Sequence, residues 1–227
     1  MKQREIDNLL AWYNQNARKL PWREQPDAYR VWVSEIMLQQ TRVEAVKPYY
    51  YRFLEKYPDV LALADAREEE LLKYWEGLGY YNRVRNMQKA AIQVREKHQG
   101  IMPARYDYLI ELSGIGPYTA GAVASIAGGE KVPAVDGNVL RIITRLNGDY
   151  SNISVPSTIK AIQMELAECM PDVPGDFNQA LMELGATVCL PNGEPKCEEC
   201  PWKSSCKARK QGIISELPVK NKPVKRR

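Results

Sequence analysis

Leu112-Ser113-Gly114-Ile115-Gly116-Pro117-Tyr118-Thr119 is followed, twenty residues beyond Gly116, by Asp136 within Val135-Asp136-Gly137-Asn138-Val139. These two stretches decide how the chain reads. Gly114 and Gly116 flank one apolar residue between two helical patterns, which permits a tight turn with positive φ and close backbone approach. Pro117 suits the first position of the next helix. That helix would begin with free amide N–H groups, which attract a phosphate. Asp136 stands just before a second short helix, Gly137 to Leu146. A phosphate-gripping turn beside a carboxylate suggests an enzyme acting on a nucleic-acid strand.

At 227 residues the chain allows one or two domains and a sizeable core. No apolar run approaches the roughly 20 residues of a membrane span. The first ten residues are charged and amphipathic rather than a signal peptide. The expectation is an intracellular, cytoplasmic protein with no membrane partner. Net charge is +4, but residues 201–227 hold nine Lys or Arg against Glu216, leaving the first 200 residues at −4. Nucleic-acid binding would therefore rest on local basic groups and backbone amides. Residues 220–227, KNKPVKRR, read as a linker.

Helical periodicity runs almost throughout, so the fold class is all-α with essentially no sheet. Ile6, Leu9, Leu10 and Tyr13 mark a first helix. Asp27 is the expected N-cap of a second, Ala28 to Thr41, and Pro48 is expected to start a third. Further helices are predicted at 60–66, 68–76, 82–97, 106–112, 118–127, 139–146, 157–169 and 177–188.

Glu35 lies in Val31-Trp32-Val33-Ser34-Glu35-Ile36-Met37-Leu38-Gln39-Gln40-Thr41, a helix apolar on nearly all faces and hence buried. A carboxyl buried there is a general-acid candidate; the alternative is a partly exposed Glu paired with an Arg. Asp136 reads either as a plain N-cap or as an anion that capping donors keep ionised. One protonated and one ionised acid is the division of labour that breaks glycosidic bonds. Gln39 and Gln40 are internal hydrogen-bond partners or probes of base edges. Tyr80 and Tyr81 are core residues or wedges for a base stack. Cys189, Cys197, Cys200 and Cys206 form C-x7-C-x2-C-x5-C, which reads as a zinc or iron–sulfur site; Cys169 stands apart. The single histidine, His98, has no HxH or HExxH context.

The glycine turn, Val-Asp-Gly-Asn-Val and the terminal cysteines resemble the helix-hairpin-helix DNA glycosylases of the endonuclease III superfamily. Leu20-Pro21-Trp22-Arg23, Ser34 to Thr41, and Gly77-Leu78-Gly79-Tyr80-Tyr81-Asn82-Arg83 resemble its adenine DNA glycosylase branch, the MutY type. The resemblance implies two lobes. Residues 21–130 would form a six-helix barrel with the hairpin, and residues 1–20 with 131–227 an iron–sulfur domain. It implies a monomer that removes adenine from double-stranded DNA carrying A:8-oxoguanine or A:G mispairs by flipping the base out.

Glu35 would protonate adenine at N7 and Asp136 would stabilise the oxocarbenium-like sugar. Tyr118 and Asn138 would hold the sugar site, and Leu20, Trp22, Arg23 and Gln179 would shape the adenine pocket. Gln39, Gln40, Thr41, Leu78 and Tyr80 would address the opposite base and the emptied stack. Gly114 and Gly116 would meet a phosphate, with a monovalent cation as an optional occupant of the turn. The four clustered cysteines would carry a four-iron four-sulfur (4Fe-4S) cluster.

Tyr118 stands where bifunctional relatives carry a lysine, so little strand cleavage is expected. Thymine mismatch glycosylases of the superfamily also carry Tyr there, but typically lack Gln-Gln-Thr. The cluster's first spacing is seven residues instead of six, and Ser113 replaces a proline. The resemblance also implies a further domain that recognises 8-oxoguanine; without it, weaker discrimination of that base is expected. Alternatives are a thymine or uracil mismatch glycosylase, or a non-catalytic DNA-binding protein with a structural metal.

Overall fold

A computed structural model of the chain describes residues 1–221, so the linker expected over 220–227 lies almost entirely outside the described residues. Twelve α-helices and three short 3-10 turns make up the described fold, and no strand occurs among the described residues. The helices are α1 Gln3–Asn16, α2 Ala28–Leu38, α3 Val43–Lys56, α4 Val60–Ala64, α5 Glu68–Trp75, α6 Asn82–Lys97, α7 Tyr106–Leu109, α8 Pro117–Ile126, α9 Gly137–Asn147, α10 Pro156–Glu168, α11 Pro174–Thr187 and α12 Lys207–Gln211. None is long and apolar enough to cross a membrane.

Two compact units form: Lys19–Glu130, and Met1–Arg18 together with the chain from Lys131 onward. In the first, α2 packs on α8 and α4 on α6. Every residue of α8 from Thr119 to Ser125 is buried, and most are small, which lets the two backbones approach. Asp27 caps α2 by accepting from the Arg30 amide at 2.9 Å, as its sequence position predicts. In the second unit α11 packs on both α1 and α9. Its core joins Ile6, Leu9, Val139, Ile143, Phe177, Leu181 and Leu184 with Trp202. Trp202 also donates its indole N–H to the Glu5 carbonyl at 2.8 Å, holding the cysteine segment against the first helix.

Two local expectations need correction. α2 stops at Leu38 instead of Thr41, because Gln39 turns extended (ψ 114°) and Gln40 is left-handed (φ 58°). Pro48 lies inside α3 rather than starting it; the flanking buried residues Val46, Tyr50 and Phe53 carry the helix across the missing N–H. At the hairpin only Gly114 has positive φ (75°); Gly116, at φ −94°, is the N-cap of α8. Gly114 is demanded twice over, since an added Cβ would sit 2.6 Å from the Asn86 Cβ. Pro117 takes the first helical position, as predicted.

Candidate active site and cysteine cavity

Within the unit Lys19–Glu130, Glu35 occupies the middle of α2 and is 7% exposed. The Tyr118 hydroxyl, in the first turn of α8, donates to its Oε2 at 2.6 Å. The sequence left open a buried acid or a partly exposed one paired with an Arg. The structure gives a buried acid on a tyrosine hydroxyl. Because α2 packs on α8, the hairpin that ends in Gly116 also sets the position of the phenol.

Around the end of α2 the organising residue is Arg83. Nη1 donates to the carbonyls of Ile36, Met37 and Gln39 at 2.8, 3.3 and 2.6 Å. Nη2 donates to those of Leu78 and Gly79 at 2.8 and 3.2 Å. One guanidinium thus gathers the Gln39-Gln40-Thr41 turn and the Gly77–Tyr80 turn. Burial lowers its pKa, with the Tyr80 phenol opposing that shift. Gln40 and Tyr80 are both non-glycine residues with positive φ, at 58° and 47°, and both are exposed, Tyr80 to 65%. Leu78 is buried, while the neighbouring Tyr80 and Tyr81 are both exposed.

Ser113, in the place of a proline, donates its amide to Gln93 Oε1 at 2.8 Å, a bond proline could not make. Leu20 and Trp22 are buried at a 3-10 turn over Pro21–Arg23, where the Trp22 ring meets Tyr50 edge-on at 5.5 Å.

In the other unit Asp136 caps α9: Oδ1 accepts from the Val139 amide at 2.8 Å and Oδ2 from Asn138 Nδ2 at 2.7 Å. The sequence reading had these donors keeping the carboxyl acidic. Burial outweighs them and raises the pKa above 3.8, although the bonds from Val139 and Asn138 and the charge of Arg141 pull the other way.

Asn138 Oδ1 accepts from Arg141 Nη2 at 2.9 Å; that nitrogen also donates to the Gly185 carbonyl at 2.7 Å. Arg141 Nε donates to the Cys189 carbonyl at 2.9 Å. A chain of hydrogen bonds therefore runs from the Asp136 carboxyl to the first clustered cysteine. It needs α11 close to α9, and Gly185 permits this, since a Cβ there would lie 2.6 Å from the Asn138 Cβ. Gln179 lies six residues before Gly185 on α11 and is partly buried.

Cys189, Cys197, Cys200 and Cys206 line one small cavity together with Arg145 and Arg209. Arg145 Nη1 lies 3.3 Å from Cys189 Sγ and also donates to the Leu190 carbonyl at 2.9 Å. Four sulfurs facing a common space with cationic donors beside them fit an anionic thiolate cluster. Among the described residues no three His, Cys, Asp or Glu side chains are grouped to grip a single ion.

Arg83 and Arg141 were not assigned roles from the sequence. Arg83 ends the motif Tyr81-Asn82-Arg83, but a motif letter does not reveal which carbonyls a guanidinium reaches. Arg141 falls one turn after Asn138 on a strongly amphipathic helix. A charged residue on its buried face was the available signal.

A family profile for HhH-GPD superfamily base excision DNA repair proteins matches residues 33–168. The chain belongs to this superfamily. Among HhH-GPD relatives it is similar to the adenine DNA glycosylase of Rattus norvegicus, 45% identical over 226 residues that cover 93% of this chain and 43% of that protein. It is similar also to the adenine DNA glycosylase of Buchnera aphidicola, 39% identical over 94% of this chain and 61% of that one. The chain spans about two fifths of the length of the rat relative. A thermostable thymine-DNA glycosylase of solved structure superposes with a TM-score of 0.83 at 28% identity, covering 92% of this chain and 98% of that one.

Proposed function

We propose that this HhH-GPD chain is a monofunctional DNA glycosylase that releases adenine mispaired with 8-oxoguanine or guanine in double-stranded DNA. The observation that carries the reading is the buried Glu35 held by the Tyr118 hydroxyl at the start of the hairpin helix. A proton donor shielded from water stands beside a phenol, where a lyase would need an amine. The similarity to adenine DNA glycosylases over more than nine-tenths of the chain supports adenine as the base.

In this reading adenine is flipped out and Glu35 protonates N7. The C1′–N9 bond then breaks with its electron pair leaving on adenine. Asp136, ionised, stabilises the oxocarbenium-like sugar, to which water adds. Tyr118 holds Glu35, and Asn138 holds Asp136. Leu20, Trp22, Arg23 and Gln179 line the adenine pocket. Gln39, Gln40, Thr41, Leu78 and Tyr80 serve the opposite base, and Gly114 and Gly116 a phosphate. The unit Lys19–Glu130 acts as the hairpin-bearing barrel and the other as the iron–sulfur domain. Cys189, Cys197, Cys200 and Cys206 would hold a 4Fe-4S cluster, which when bound supplies a one-electron redox centre and a clamp on the loop.

The deciding experiment compares base release from A:8-oxoguanine, A:G, T:G and U:G duplexes by wild type and Glu35→Gln. Adenine release lost in the variant is expected. Release of thymine or uracil in preference to adenine would replace this reading with the mismatch glycosylase one. A brown protein with broad visible absorbance, bleached when iron is removed, is expected for the cysteine site; a colourless protein carrying zinc would overturn the cluster.

A further inference from the structure

In the unit Lys19–Glu130 a second cavity, of about 140 Å³, is lined by Trp32, Ile36, Gln39, Arg83, Asn86 and Met87 among others, with Ser113 and Gly114 of the hairpin at its edge. Two of its donors are unsatisfied. Trp32 is 1% exposed, yet its indole N–H has no hydrogen-bond partner, and neither does the buried Nε of Arg83. A buried donor without an acceptor is costly, and a pair of them at one cavity marks a place for a group with two acceptors.

The chemistry of the walls narrows that group. Arg83 already directs its terminal nitrogens to five carbonyls, so its charge is engaged and the site is a poor trap for a free anion. Ile36, Met87 and the indole offer apolar surface. Gln39 and Asn86 offer amides that both donate and accept, and no carboxylate lines the space. A neutral, planar heterocycle with two neighbouring acceptors and further polar edges suits this set. Guanine presents adjacent O6 and N7 acceptors, whereas adenine presents N7 beside an N6 donor.

We infer that the cavity between the end of α2, the start of α6 and the hairpin is a holding pocket for an unoxidised guanine base, read by Trp32 Nε1 and Arg83 Nε. Oxidation at C8 turns N7 into an N–H donor, which would face these two donors and be rejected. The pocket is separate from the Glu35–Tyr118 pair. The inference rests on the proposal that the chain acts on DNA, and gives it a checkpoint at which guanine and 8-oxoguanine are told apart.

The test follows the Trp32 indole N–H by nitrogen-15 NMR, with its signal assigned by its loss in Trp32→Phe. Guanosine is expected to shift the signal saturably. Adenosine and 8-oxoguanosine should bind at least about fivefold more weakly, the scale of one neutral hydrogen bond. Asn86→Leu, which leaves both orphan donors in place and fills the cavity, should abolish the guanosine shift even if Trp32→Phe does not fold. A shift produced by inorganic phosphate in place of guanosine would make the cavity an anion site and overturn the assignment. So would a signal unmoved by every nucleoside, with contacts to water alone. Adenine release is measured on the same preparations. Excision without a guanosine response sinks only the pocket; a guanosine response without excision sinks only the glycosylase reading.

Discussion

Glu35 and Asp136 are two carboxyls held by opposite means. Glu35 sits mid-helix, in a wall of apolar residues, and meets a side-chain hydroxyl from another helix of its own unit. Asp136 sits at a helix start, meets the backbone of its own first turn, and is tied through Asn138 and Arg141 to the Cys189 carbonyl. The first is an acid placed by packing; the second is an anion site placed by local backbone geometry and then buried. The difference teaches that burial need not assign the same role twice. A carboxyl set among apolar side chains suits giving up a proton, and one facing two N–H donors suits holding negative charge.

Substitutions that keep shape and remove charge sharpen this contrast. Glu35→Gln should slow single-turnover adenine release on the order of 10³-fold, the scale of a lost general acid. Asp136→Asn should cost about 10²–10³-fold, the scale of a lost electrostatic stabiliser, while still capping α9 because asparagine is a good cap. A variant of either that retains wild-type rates would dissolve the pairing of roles.

Arg141→Met should be mainly a stability defect. It leaves the Cys189 and Gly185 carbonyls and Asn138 Oδ1 without their donor, at about 3 kcal/mol or more in urea unfolding. Tyr118→Phe should slow excision about tenfold with little change in melting temperature, the scale of one hydrogen bond to an acid.

The smallest effect is on pH. Burial raises Asp136 above 3.8, so the folded chain binds that proton more tightly than the unfolded one. Its contribution to stability is full below 3.8 and is lost as pH rises through the folded value. Asp136→Asn should therefore melt higher relative to wild type at pH 7 than at pH 3, in paired thermal scans.

Much of the fold was legible because it is written in local chemistry. Asp27, Pro117 and Asp136 mark helix starts wherever they stand, and the span of α6 follows directly from its periodicity. The end of α2 was not legible. Leu38 to Thr41 continues the helical pattern, and only the grip of Arg83, more than forty residues away, turns it aside. Pro48 misled for the converse reason, since packing of the residues around it overrides a local breaker.

In the site, Glu35 could be picked out as a buried carboxyl, but its partner could not, because α2 and α8 meet only in the folded unit. The raised pKa of Asp136 was missed because capping donors are visible in sequence and desolvation is not.

Gln40 and Tyr80 stand in left-handed backbone at the surface, where glycine would be at ease and an L side chain costs about 1 kcal/mol. Folding alone would have discarded both side chains. A laboratory search for sturdier versions of this chain would therefore reach these two positions early and accept glycine at each. The survivors would tolerate more heat and, on the roles proposed for these two residues, handle DNA less well, a bargain that thermal screening by itself would never reveal.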